Sequence, residues 1–450
     1  MLINVQSKKI LFTLLLGLAS FAMMIPFFSL QQSLMIASIV TMVTLWTNEG
    51  LPLAVVSLLP IVLFPALGIL STKETAINYA NPIIYLFLGG FLIAIAVEKT
   101  DLHKYIAQKM LRLFPATAKG IIFSLILTSG LLSSVLSNTT TTLLLLPIAL
   151  FLTTNTKLKM RLALGIAYGA SVGGILTPIG TPPNLILMGI MEKFSMDSIA
   201  FVQWIYMVAP LVFVMFLSVG FVLSRGLKDI TIEMPTETIS LNPEQKKVLF
   251  IMAGLVFTLF INAPLKPFYN GLGLSEPGIL LSAGLLLFMP PFSILNWEED
   301  SHSIPYQIMF LFGAGFAIAA AFTHTGMADV IASYLVHFAS MPLVLFLLIL
   351  ASIVTFTTEI TSNTALISIM LPILFKVAEQ THIDATLVMM VATICASYAF
   401  MLPIATPPNA IAMSSGVISI KQMASYGIVF NIIGIILIVS IANMYWVYLV

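Results

Sequence analysis

Two short polar patches interrupt otherwise apolar stretches of the chain: Leu-Ser-Asn-Thr-Thr-Thr-Thr at 136–142 and Thr-Ser-Asn-Thr-Ala at 361–365. Serine, threonine and asparagine start helices well, because a side-chain oxygen accepts from an early main-chain N–H. The same side chains offer hydroxyl and carbonyl oxygens and an amide donor. Oxygens of this kind suit a hard cation such as Na+, whereas the free N–H groups at a helix start suit an anion. A second pair of motifs, Thr-Pro-Ile-Gly-Thr-Pro-Pro-Asn at 177–184 and Leu-Pro-Ile-Ala-Thr-Pro-Pro-Asn at 402–409, offers related chemistry. Pro178 lacks a donor and clashes with the preceding turn, so a helix over 162–190 must break near 177–180. It can restart with Thr181 as N-cap, Pro182 in the first helical position and Asn184 in the first turn. Thr406, Pro407 and Asn409 repeat that arrangement in the second copy. Helix ends at two patches and two breaks can thus converge on one place.

All these motifs obey a single shift. Moving the sequence by 225 residues lays Ser137-Asn138-Thr139 on Ser362-Asn363-Thr364, Pro147 on Pro372, and 177–184 on 402–409. Gly90-Phe91 falls on Gly315-Phe316, and Pro52 on Pro277, at the same shift. The chain therefore reads as two copies of one unit behind an N-terminal extension. Taken singly, threonines in an apolar segment are ordinary, since they bond to carbonyls of their own helix or join neighbouring helices. That both patches and both proline motifs recur, while the Leu and Ile around them drift, points to a shared site.

The elements that must position these motifs are membrane helices. Of 450 residues, 59% are hydrophobic and only 8% charged, against roughly a quarter charged in soluble domains, and mean hydropathy is +1.08. Apolar stretches of about 20 residues recur from end to end, enough to cross the hydrocarbon layer as helices. The sequence predicts an all-α polytopic membrane protein with no soluble domain. A net charge of +1 gives no reason to expect nucleic acid as a partner, and a single cysteine, Cys395, leaves no internal disulfide. The first apolar run, 10–30, is too long for a signal-peptide core and lacks a small-residue cleavage site, so it reads as a retained span.

Two runs, 120–154 and 342–375, are too long for one untilted helix: about 50 Å at 1.5 Å per residue, against a hydrocarbon core of roughly 30 Å. Each is expected to be a re-entrant hairpin whose arms meet at the polar patch. With hairpins, the N-terminus and the segments 99–119, 157–161, 225–247 and 413–425 fall on one side. That side then holds all 19 Lys and Arg except Lys73, Lys193, Lys266 and Lys376, a strong positive-inside bias. It is expected to be the cytoplasmic side of the plasma membrane, with the C-terminus opposite. Hairpins return to their own side, so each copy makes five crossings and the second copy is inverted relative to the first. The expected architecture is eleven transmembrane helices plus two re-entrant hairpins in two inverted repeats. Scaffold spans in 1–50 precede the first repeat (51–225); 226–246 form a cytoplasmic linker, and 247–450 the second repeat, with its broken helix at 385–412. Inverted repeats with interrupted helices are the mark of a secondary transporter whose site lies at the repeat interface.

Ionisable side chains inside the spans are few. Glu359 lies three residues before Ser362, opposite Ser134 in the repeat, and is a candidate supporting acid that either takes part or braces the hairpin. Glu98, Lys99 and His324 sit at span ends and read as structural or solvated. No His-Glu-x-x-His motif, nucleotide-binding P-loop or plausible Ser-His-Asp set is present, so an enzyme is not expected. Residues 101–118 combine basic side chains with an apolar stripe, the pattern of an amphipathic helix on the membrane surface, and 327–340 are the less charged counterpart.

With these motifs in place, the chain resembles the divalent anion/sodium symporter family, whose members carry di- and tricarboxylates or sulfate. The resemblance covers essentially the whole chain. It is carried by Ser-Asn-Thr at 137–139 and 362–364, Thr-Pro at 181–182 and 406–407, Pro-Ile-Ala-Thr-Pro-Pro-Asn-Ala-Ile at 403–411, and Glu359. It implies a homodimer in which transport domains slide as elevators against fixed scaffolds, with 101–118 and 327–340 as connecting arms. It also implies a substrate carboxylate site lined by Ser137, Asn138, Thr139, Thr181 and Pro182, and by Ser362, Asn363, Thr364, Thr406 and Pro407. A first Na+ would sit near Ser133, Ser137, Asn138 and Gly180, and a second near Thr358, Thr361, Asn363 and Ala405. The repeat itself pairs Ser133 with Thr358 and Gly180 with Ala405. Sulfate carriers of the family often hold a soluble insert in mid-chain. The linker here is too short for one, which favours a C4-dicarboxylate or citrate, coupled to Na+ and needing no organic cofactor. A sulfate or other inorganic-anion symporter, a sodium-independent dicarboxylate exchanger, a cation/proton antiporter and an intramembrane enzyme remain alternatives.

Overall fold

The computed structural model describes residues 5–227, 232, 240–264, 268–339 and 341–449, without the side chains of 335–339. Much of the expected linker (228–231 and 233–239) lies outside the described residues, as do Lys266 and the last residue of the 327–340 segment. Among the described residues the secondary structure is helical, with no strand. Helices α1 (Val5–Met24), α2 (Leu30–Asn48) and α3 (Leu53–Ala66) come first, followed by the short α4 (Thr72–Ala76) and by α5 (Pro82–Lys99). The amphipathic α6 (Leu102–Leu113) leads into α7 (Ala118–Ser133) and α8 (Asn138–Phe151). Next are α9 (Thr156–Gly174), α10 (Pro182–Lys193) and α11 (Phe201–Ser224). The second half begins with α12 (Pro243–Asn262), α13 (Glu276–Leu286), α14 (Trp297–Asp300), α15 (Tyr306–His324) and α16 (Met327–Ala339). It closes with α17 (Leu343–Thr358), α18 (Asn363–Thr381), α19 (Ala385–Ala396), α20 (Pro407–Ser414) and α21 (Ile420–Met444).

Among the described residues, seven helical stretches are long and apolar enough to cross a membrane alone: α1, α2, α4 with α5, α11, α15, α18 and α21. Eleven crossings were expected. Six of the seven fall on expected crossings, whereas α18 is an arm of the expected second hairpin. Of the other five expected crossings, α3 and α13 are too short, breaks divide the 162–190 and 385–412 stretches, and α12 is not among the stretches that qualify. The first break opens at Gly174, just ahead of Pro178. The second opens at Ala396, well ahead of Pro403, because the N–H groups of Phe400, Met401 and Leu402 bond to Glu359 rather than to helix carbonyls.

Small residues set the closest packing. A Cβ on Gly169 would meet the Ile126 carbonyl oxygen at 2.8 Å, and one on Gly173 would meet Gly130 main chain at 2.2 Å, so α7 and α9 run side by side with backbones nearly touching. Helix α8 turns back along α9, and α17 with α18 makes the matching pair against α19. The halves then exchange partners: α10 packs on α18 and α19, while α20 packs on α8 and α9. Each restarted helix therefore lies against the other half's polar patch.

Candidate functional site

The polar patches are helix starts. Ser137 caps α8, its hydroxyl accepting from the Thr140 N–H at 3.0 Å, and Ser362 caps α18 by accepting from the Ala365 N–H at 3.4 Å. Asn138 and Asn363 open these helices and fold back on the preceding arm. The Ser133 hydroxyl donates to Asn138 Oδ1, and the Thr358 hydroxyl to Asn363 Oδ1. Thr358 Oγ1 also lies 2.9 Å from the Ala396 carbonyl oxygen at the end of α19. The first-turn N–H groups of α8 and α18 have no acceptor in their own helix beyond the caps, which leaves them available to a ligand.

The breaks are closed by the asparagines of the Thr-Pro-Pro-Asn motifs. The Asn184 amide donates to the carbonyls of Gly174 at 3.3 Å and Thr177 at 2.9 Å. The Asn409 amide donates to Ala399 at 2.9 Å and Leu402 at 3.0 Å, the acceptors related by the 225-residue shift. Both asparagines are fully buried. Thr181 and Thr406 are the N-caps of α10 and α20, with Pro182 and Pro407 in the first position; only Thr406 adds a side-chain bond, to the Asn409 N–H.

These ends enclose a cavity of about 850 Å³. Its wall includes Ser137, Asn138, Thr139, Gly180, Thr181 and Pro182 from the first copy. The second copy contributes Thr361, Ser362, Asn363, Thr364, Ala405, Thr406 and Pro407. Ser133 and Thr358 are not on the wall; both are fully buried behind the tips, where they hold Asn138 and Asn363. Glu359 is also buried and off the wall. A Cβ on Gly174 would lie 2.6 Å from Asn138 Oδ1, and one on Gly180 would lie 2.4 Å from the Gly174 carbonyl oxygen. Ser133 Oγ, Asn138 Oδ1 and the main-chain oxygens of Gly174 and Gly180 are thereby gathered into a cluster suited to a small hard cation.

The remaining wall includes Trp46, Phe87, Phe91 and Ile308, with Gln6, Glu49 and Gln307 among its polar members. Sequence reasoning missed this face, because aromatic residues in apolar helices carry no signal of their own. Among the described residues none on the wall is basic, so an anion placed here would meet helix N-termini in place of Lys or Arg.

A family model described as "Citrate transporter" matches residues 42–392. Proteins named sodium-dependent dicarboxylate transporter SdcS, from Staphylococcus saprophyticus and from Staphylococcus aureus strain USA300, are 31% and 33% identical to this chain, covering 88% of it and 83% of their own length. The chain belongs to the divalent anion/sodium symporter family. This symporter-family protein is accordingly a multi-pass membrane transporter and not an enzyme. Its fold is similar to that of the YdaH transporter of Alcanivorax borkumensis, with a TM-score of 0.62 at 13% identity over 83% of this chain and 87% of that one.

Proposed function

We propose that this symporter-family protein carries C4-dicarboxylates or citrate by binding them, together with Na+, between the two Ser-Asn-Thr tips. The observation that carries this is the cavity of about 850 Å³, with both tips and both Thr-Pro entries on its wall and, among the described residues, no basic side chain there. Substrate carboxylates take the first-turn N–H groups and hydroxyls of Ser137, Asn138, Thr139, Ser362, Asn363 and Thr364. Thr181 and Thr406 lie beside them, and Pro182 and Pro407 fix the entries of α10 and α20. Na+ occupies a cluster formed by Ser133, Ser137, Asn138 and Gly180, and a second formed by Thr358, Thr361, Asn363 and Ala405. These ions offset the charge of a dianion that meets no Lys or Arg among the described lining residues. The names of the family and of the Staphylococcus relatives support both the carboxylate and the sodium.

We read the chain as eleven crossings and two re-entrant hairpins, arranged as inverted repeats over 51–225 and 247–450. The exchange of partners between α10 and α18, and between α20 and α8, supports this. Helices α7–α11 and α17–α21 are the transport domain, and α1–α5, α12, α13 and α15 the scaffold. Two copies assemble as a homodimer and work as elevators in the plasma membrane, with α6 and α16 as arms. Gln6, Glu49 and Gln307 on the cavity wall belong to helix ends on the side that the positive-inside rule makes cytoplasmic, so this conformation is open inward.

Purified protein in liposomes tests the proposal through uptake of labelled succinate, citrate and sulfate. Uptake is measured with an inward Na+ gradient, with a proton gradient, or with succinate preloaded inside. Na+-driven entry of succinate or citrate is expected. Uptake that follows preloaded succinate and ignores Na+ would make the protein an exchanger, and Na+-driven uptake of sulfate alone would make it an inorganic-anion symporter.

A further inference from the structure

The two halves fasten their breaks to their tips by different chemistry. In the first, the Thr177 hydroxyl donates to the Ser134 carbonyl, a bond between neutral groups. In the second, the repeat puts Glu359 in place of Ser134 and Leu402 in place of Thr177. Glu359 Oε1 accepts from the N–H groups of Phe400 at 2.8 Å and Met401 at 2.9 Å, and from the Asn431 amide at 2.7 Å. Its Oε2 accepts from Met401 and Leu402, each at 3.1 Å. Every one of these partners is a donor, an environment matched to an ionised carboxylate, which can only accept. Glu359 is only 3% exposed, and among the described residues no Lys or Arg is paired with it. Asn431 has Tyr206 as its repeat counterpart, so the whole arrangement belongs to one half.

Glu359 follows Thr358 in sequence and grips the main chain that leads from Phe400 through Leu402 to Ala405 and Thr406 on the cavity wall. Its charge is therefore within roughly 10 Å of the second tip. We propose that Glu359 is a positioning residue for the second tip pocket. It fixes the unwound main chain there, and its negative charge makes that pocket a tighter Na+ site than the one built on Ser133 and Asn138. This deepens the reading of the tips as Na+ sites and depends on it.

Na+ binding read without transport is the test. Purified protein in detergent is titrated with NaCl against choline chloride at constant ionic strength, and thermal stability is followed. Glu359→Gln is expected to raise the Na+ midpoint about two- to fifteenfold, the range for one charge roughly 10 Å away at permittivities from bulk water to a protein surface. Glu359→Asp, which keeps the charge, is expected to restore most of that affinity. A Glu359→Gln protein with lower stability or turnover but an unchanged Na+ midpoint would reduce Glu359 to a brace and overturn the proposal. Should Glu359→Gln fail to fold, Thr358→Val and Ser133→Ala decide instead. Thr358→Val is expected to shift the midpoint further, and equal shifts overturn the asymmetry. A wild-type protein whose stability ignores Na+ refutes the symport reading itself, an outcome distinct from a loss of asymmetry between two working sites.

Discussion

Replacing Gly180 with alanine puts a methyl group where the first tip has no space for it. The added Cβ would lie 2.4 Å from the Gly174 carbonyl oxygen and 3.0 Å from the Gly174 carbonyl carbon and Cα, where ordinary contact begins at 3.4 Å. The atoms it meets are main chain, so no change of rotamer relieves the clash. The end of α9 and the entry to α10 must part instead, and overpacking of this kind costs about 1–3 kcal/mol. Expressed as lost affinity for a cation held between them, that is about 5- to 150-fold. The second copy supplies the control, since Ala405 already carries a Cβ at the equivalent position. Ala405→Gly removes a methyl without a clash and is expected to change Na+ affinity by about fivefold at most, through added main-chain freedom. The assay is the Na+ dependence of labelled succinate uptake in liposomes, with size-exclusion profiles to check folding. If Gly180→Ala leaves half-saturation by Na+ within about twofold of the original protein, less than the smallest expected clash would give, the oxygen cluster at the first tip is not a cation site.

Further outcomes follow from the same geometry. Asn138→Ala and Asn363→Ala are each expected to abolish succinate uptake while leaving a folded protein, since each removes the amide that joins a tip to its preceding arm; normal uptake by both would remove the site assignment. Asn184→Ala and Asn409→Ala each strip donors from two buried carbonyls and should cost about 1–3 kcal/mol of stability, read as a lower midpoint in thermal unfolding. His103, on α6, is held below its ordinary range mainly by burial, against an opposing bond to the Val97 carbonyl and the nearby Asp101. A histidine depressed in the folded state stabilises fully above its unfolded value near 6.5, and that contribution is lost as pH falls through the lower folded value. Thermal stability should therefore drop more between pH 7 and pH 5 than in His103→Gln, and parallel curves would contradict the shift.

The helical membrane character and the transporter family were legible in the sequence because this chain can be compared with itself. Apolar residues drift between the copies, whereas Ser-Asn-Thr and Thr-Pro-Pro-Asn do not, and those motifs do meet at one cavity. Other features depend on contacts that no local pattern announces. Asn431 is one of three side-chain amides in α21, with Gln422 and Asn443, and only its 2.7 Å approach to Glu359 sets it apart. The early end of α19 could not be read from Pro403, since a carboxylate 41 residues upstream of Phe400 takes the N–H groups that would have continued the helix. Ser133 and Thr358 sit five residues before their asparagines, too far to suggest a bond within one helix; the turn between the arms brings them together. Trp46, Phe87 and Phe91 line the cavity from helices whose apolar sequences look alike on every face.

A cryo-EM structure of the protein in NaCl and succinate tests the central claim most directly. Density for a dicarboxylate is expected between residues 137–139 and 362–364, with a cation peak beside Asn138 and another beside Asn363. Succinate bound elsewhere, or between the tips with no cation at either asparagine, would contradict it.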